Sequence, residues 1–146
     1  MAARFCILAL PILLWAAPAL PQDAEQARFN ACGSAARVTC VVDGDTFWYH
    51  GDKIRLTDIN TPETSQPGCL AEADLGARAT RRLIELLNSG AFSLQAQGRD
   101  RDRYGRLLRV VTRDGASLGA VLVAEGLAEP WQGRRSDWCA QLALAR

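Results

Sequence analysis

The stretch Val38-Thr-Cys-Val-Val-Asp-Gly-Asp-Thr-Phe-Trp-Tyr-His-Gly-Asp-Lys-Ile-Arg-Leu-Thr57 contains three short runs rich in β-branched and aromatic residues: Val38–Val42, Thr46–Tyr49 and Lys53–Thr57. Asp43-Gly44 divides the first pair and His50-Gly51-Asp52 the second, and both dividers are turn sequences. A meander of three short strands is the expectation, with His50 as a turn residue. Downstream, Pro62, Pro67 and Gly68 break regularity, and Leu70–Asn88 then carries apolar side chains at Ala71, Leu75, Ala79, Leu83 and Leu86 or Leu87. Spacings of three and four predict one amphipathic helix, stopped by Gly90.

Two further alternating stretches, Phe92–Ala96 and Leu108–Thr112, read as strands around a polar, arginine-rich loop from Gly98 to Arg106. Ser117–Glu125 reads as a short helix with Ser117 at its N-cap and Gly126 as its stop, and Ser136 is the expected cap of a last helix running towards Arg146. Three strands, a helix, two strands and two short helices give an α+β, mainly β fold: a five-stranded Greek-key barrel of the oligonucleotide-binding (OB) type with about three helices. No alternating βα repeat argues for a parallel sheet.

At 146 residues the chain suits one domain. Arg4 followed by the apolar run Phe5–Ala17 and Ala17-Pro18-Ala19 reads as a signal peptide over residues 1–19. Residues 20–36 read as a mobile linker and 37–146 as the folded domain. The apolar run, broken by Pro11 and Pro18, is shorter than the roughly 20 residues a membrane helix needs, so no lasting membrane association is expected after leader cleavage. Export puts the protein in the periplasm or outside the cell. Lys and Arg number 17 against 16 acidic residues, and losing Arg4 with the leader makes them equal, so bulk charge does not announce a polyanionic partner. Arg99, Arg101, Arg103, Arg106 and Arg109 are clustered, with Arg134 and Arg135 further on, and such a local patch suits phosphate recognition. Cys32, Cys40, Cys69 and Cys139 remain after Cys6 is removed, an even number for an oxidising compartment. Of three possible pairings, which sequence alone does not separate, Cys32–Cys40 with Cys69–Cys139 is preferred as closing one local and one long loop. Zinc-ligand spacing is absent.

Three segments carry the chemistry: Val42-Asp43-Gly44-Asp45-Thr46, Arg55 through Asn60-Thr61-Pro62-Glu63-Thr64, and Asp102-Arg103-Tyr104-Gly105-Arg106. Each alone has an ordinary reading as a hairpin turn, a proline-fixed loop or a solvated charged loop. Together they meet the needs of phosphodiester hydrolysis, which calls for a base, cations for the phosphoryl oxygens and a metal to polarise them. Glu63 is the candidate base, Arg55 and Arg106 the phosphate donors. Asp45, Asn60 and Thr61 offer the hard oxygen ligands calcium prefers.

From Val42 to about Trp131 these motifs, in this order, resemble a staphylococcal nuclease-like (thermonuclease) domain. The resemblance implies an OB barrel that hydrolyses DNA and RNA with calcium. It implies Arg55, Glu63 and Arg106 as catalytic residues, Asp45 and the Thr61 carbonyl as metal ligands, and Arg103 and Tyr104 as contacts to substrate phosphates. Asn60 departs from the family's usual aspartate and removes one charge from the calcium site. Pro130-Trp131-Gln132 replaces a tyrosine-containing segment, with Trp131 read either as a stacking face or as a packing anchor. The expected protein is a monomeric, exported nuclease whose partner is its nucleic-acid substrate. The alternative is a non-catalytic OB-fold binder of single-stranded nucleic acid.

Overall fold

The computed structural model describes residues 22–145. The signal peptide expected over residues 1–19 lies outside the described residues.

The meander forms as β1 (Cys40–Asp43), β2 (Thr46–Tyr49) and β3 (Asp52–Leu56), antiparallel neighbours with Val41 opposite Phe47 and Phe47 opposite Ile54. Those three side chains share the inner face, as a period of two requires, and are fully buried. A two-residue strand β4 (Ile59–Asn60) follows, then helix α1 (Leu70–Asn88), which buries Leu75, Ala79, Leu83, Leu86 and Leu87. The chain returns as β5 (Ser93–Arg101) and β6 (Leu107–Arg113), and β6 lies parallel to β3, giving the order β1-β2-β3-β6-β5. This is the expected five-stranded Greek key of an OB-type α+β fold. A short β7 (Ala116–Ser117), α2 (Leu118–Ala124), β8 (Glu129–Pro130, paired with β4) and α3 (Trp138–Leu144) complete it. Among the described residues no helix is long and apolar enough to cross a membrane.

Three details differ from expectation. β5 runs on to Arg101 rather than stopping at Ala96; its outer half is exposed, so no apolar alternation marked it, and the pairing with β6 shifts register between Ala96 and Arg101. Asp137, not Ser136, caps α3, because its Oδ1 accepts the Ala140 amide at 2.9 Å. The third concerns the segment expected to be a mobile linker.

From Glu25 to Cys32 that segment is tied to the sheet. Glu25 exchanges two backbone hydrogen bonds of 2.9 Å with Phe92 beside β5, while Cys32 donates to Val41 of β1 and Val41 to Asn30. Residues 25–32 thus join the two outer strands of the sheet. Phe29 is 0% exposed and meets Phe47 edge-on and Tyr49 stacked, with centroids 5.7 and 5.9 Å away, and Asn88 at the end of α1 brackets its backbone from both sides. A polar composition hid this because one aromatic residue and main-chain pairing do the anchoring. The Cys32–Cys40 disulfide pins the segment to β1, and Cys69–Cys139 pins α3 to the start of α1, the preferred pairing.

Candidate functional site

Gly44 explains how the Asp43-Gly44-Asp45 turn meets the Thr61 loop. A Cβ at Gly44 would lie 2.7 Å from Ala79 Cβ and 2.8 Å from Thr61 Cγ2, so only glycine lets this turn press between α1 and that loop. Asp45 is therefore 6% exposed, with Oδ1 accepting from Thr46 Oγ1 at 2.9 Å and Oδ2 from the Thr61 amide at 3.0 Å. Oδ2 also pairs with Arg55 Nη2 at 3.1 Å.

Arg55 lies in β3 opposite Thr46, its guanidinium held by the carbonyls of Leu56 and Ile59. Burial lowers its affinity for its proton, and repulsion from Arg106 and Arg135 adds to this while Asp45 opposes it. Across the parallel ladder Arg55 is paired with Leu108, and Arg106, just before β6, is near enough for its charge to be felt at Arg55. Arg106 is anchored by Asp102, Nε to Oδ2 at 2.7 Å. Asp102 also accepts the Tyr104 and Arg106 amides, folding the loop around one carboxylate. Burial works against that charge, but the bonds from Arg106 and Tyr104 outweigh it and hold Asp102 below the usual carboxylate range.

Asn60 and Thr61 are buried beside this pair. Asn60 Nδ2 donates to Glu129 Oε1 at 2.9 Å across the β4–β8 ladder, and among the described residues no hydrogen bond reaches its Oδ1. Thr61 Oγ1 is buried and has no hydrogen-bond partner among the described residues. Asp43, expected only as part of a turn, ends β1 beside Asp45. It accepts the Asp45 amide at 3.2 Å, and burial, then repulsion from Asp45, pushes its carboxyl up to about 7. Asp43, Asp45, Asn60 and Thr61 supply oxygens of the hard kind a divalent cation takes, and Asp45 Oδ2 already carries one positive partner in Arg55. The signal was present in the sequence as acids on both sides of Gly44.

Glu63 lies on the loop entering α1. A Cβ at Gly76 would come within 2.9 Å of the Pro62 carbonyl and 3.0 Å of Glu63's own, so that glycine lets the loop settle on the helix. Buried Glu72 accepts the Glu63 amide at 3.2 Å and the Gly68 amide at 2.7 Å. The Glu63 carboxylate is ion-paired with Arg135, a residue sequence reasoning noted only as part of a basic pair. Trp131, 41% exposed, lies under Arg55 with Cζ 5.7 Å from the ring centroid. Arg103 and Tyr104 stand on the exposed loop, bonded to each other at 2.6 Å, with Tyr104 68% exposed. Asp45 thus joins Arg55 to the Thr61 amide, the charge of Arg106 is felt at Arg55, and Tyr104 on the exposed loop lies against Arg106, 5.6 Å from Cζ to the ring centroid.

Residues 53–142 match the family model described as "Staphylococcal nuclease homologue". Over 92 residues the chain is 45% identical to the SPbeta prophage-derived endonuclease YokF and 42% identical to Endonuclease YncB, both of Bacillus subtilis (strain 168), covering 60% of this chain and 31% and 43% of theirs. It is 30% identical over 103 residues to the Thermonuclease of Staphylococcus hyicus, covering 68% of this chain and 60% of that one. The chain therefore spans between about a third and three fifths of the length of these relatives.

Proposed function

The chain belongs to the staphylococcal nuclease family, and on that premise we propose that it is an exported nuclease hydrolysing phosphodiester bonds of DNA or RNA. The observation that carries this reading is the buried Arg55–Asp45 pair holding the Thr61 amide, with Arg106 near enough for its charge to be felt at Arg55 and Glu63 on the adjoining loop. Arg55 and Arg106 donate to the phosphoryl oxygens, where charge gathers as the bond breaks. Both are already aimed, Arg55 by two carbonyls and Asp45, Arg106 by Asp102, so little reorganisation accompanies substrate binding. Glu63 takes the proton from the attacking water. Asp43, Asp45, the Asn60 amide oxygen and Thr61 would hold calcium, which when bound polarises the phosphate. Trp131 offers a flat face for a base. Arg103 and Tyr104 hold the strand's outer phosphates. Two disulfides support a working place in the periplasm or beyond.

The test is degradation of heat-denatured DNA by the oxidised protein across a calcium titration, with a chelator control and Glu63→Gln alongside. Calcium-dependent cleavage lost in the variant is expected. Because Asn60 stands where a charged ligand would bind calcium more tightly, retained binding without cleavage at any calcium level would instead identify a non-catalytic binder of single strands.

A further inference from the structure

Residues 131–139 cross from β8 to α3 as a strap tethered at both ends. At one end the Trp131 amide donates to the Asp58 carbonyl at 2.9 Å, beside the β4–β8 pair. At the other, Asp137 caps α3 and Cys139 is bonded to Cys69 at the start of α1. Between these tethers the strap lays Trp131 against Arg55 and Arg135 against Glu63. Arg135 is 64% exposed, and among the described residues only its Nη1 engages Glu63, so most of its donors face outward. Its charge is felt at Arg55 together with that of Arg106.

We propose that Arg135 is a substrate-positioning residue: a second phosphate of the bound strand takes it from Glu63 and so frees that carboxylate to act as base. The proposal rests on the phosphodiesterase reading above. A phosphate is a doubly offering acceptor for the guanidinium fork, and a multiply charged strand outcompetes one half-exposed carboxylate for it. In the free protein Glu63 is occupied. Once the strand is seated, Arg135 moves its pairing outward and Glu63 faces water without a cation on it. The site therefore favours polymers carrying a neighbouring phosphate over a single isolated phosphodiester.

The experiment compares wild type, Arg135→Gln and Arg135→Lys on a twelve-nucleotide single strand and on a dinucleotide with no terminal phosphate, with oligomer affinity measured separately in chelator. Arg135→Gln is expected to raise KM for the oligomer roughly tenfold and to flatten the slope of log affinity against log salt by about 0.7, the share of one single-strand phosphate contact. The same variant is expected to cleave the dinucleotide faster than wild type, since nothing then occupies Glu63. Arg135→Lys should restore most of the salt slope. Unchanged oligomer KM and slope overturn the proposal, as does an equal loss on both substrates with a lower melting temperature, the pattern of a structural anchor. A wild-type protein that neither binds nor cuts the oligomer overturns both this and the nuclease reading, whereas an active wild type beside an indifferent Arg135→Gln overturns only this one.

Discussion

Arg55 pairs with Asp45 at 3.1 Å in a site where both side chains are about nine-tenths buried, and Asp45 uses the same oxygen to hold the Thr61 amide. One carboxylate therefore sets both the arginine and the loop that leads to Glu63. Arg55→Gln removes the cation from this buried pair, and a loss of about 3 kcal/mol in unfolding free energy is expected by denaturant titration. Arg55→Lys keeps the charge but loses the planar fork. It should leave most of the stability and lower the cleavage rate by about a hundredfold or more. Equal rates for Arg55→Lys and wild type would remove the guanidinium from the chemistry.

Asp43 gives the metal-free protein a pH dependence of definite sign. Its carboxyl is raised from 3.8 to about 7 by burial and by Asp45, so the folded state holds a proton the unfolded state has lost. The associated stability is complete below about pH 4 and is lost as pH rises towards 7. Asp102, held below the usual carboxylate range, works in the opposite sense and at lower pH. In chelator, the melting temperature of wild type is expected to fall between pH 5 and 7.5 relative to Asp43→Asn, whose profile should be flatter. Calcium at pH 7.5 should stabilise wild type and have little effect on the variant. Parallel melting curves with and without calcium would place the cation elsewhere.

The two disulfides close loops of very different length, with sequence separations of 8 and 70. Loop-closure entropy assigns the short one about 2.5 kcal/mol and the long one about 4 kcal/mol. Replacing Cys69 and Cys139 by serine should lower stability by more than replacing Cys32 and Cys40, measured by urea unfolding. The long-loop pair should also lose activity, because Cys139 ends the strap carrying Trp131 and Arg135.

Phe29→Ala tests whether residues 22–32 belong to the folded unit. A ring with no exposed surface in a cluster with Phe47, Tyr49 and Phe92 is expected to cost about 3–5 kcal/mol on truncation to alanine. A change under about 0.5 kcal/mol, the range of surface substitutions, would return the segment to the status of a linker.

What the sequence disclosed and what it hid divide along physical lines. The strands of the meander, α1 and the later strand pair were legible because each buries one face, and burial of one face leaves a period in the chain. Arg55, Asp45 and Thr61, picked out by motif order, do lie together, because the Asp45 carboxylate joins the arginine to the loop amide. Phe29 was not, since a single buried ring in a polar segment has no period. The pairing of Glu63 with Arg135 was equally silent: it joins residues 72 positions apart and depends on where a disulfide holds α3. Asp43 was visible but read as a turn, which it also is. Its raised carboxyl comes from the depth to which Gly44 lets that turn sink.

Asn60→Asp joins the metal question to a specific contact. Asn60 donates to Glu129 at 2.9 Å, so a carboxylate at position 60 would face another carboxylate where a donor now stands. In chelator the variant should be less stable than wild type by about 1–3 kcal/mol, the cost of an unsatisfied, repelling pair. Adding Glu129→Gln supplies a donor to the new carboxylate and should recover most of that loss, so the double variant is expected to be more stable than the sum of the single changes allows. Calcium should reverse the order: with one more negative ligand, the Asn60→Asp/Glu129→Gln protein is expected to bind calcium more tightly than wild type by titration calorimetry. If the double variant recovers stability while its calcium affinity stays at the wild-type value, position 60 is a structural tie between β4 and β8 and the cation is held by Asp43, Asp45 and Thr61 without it.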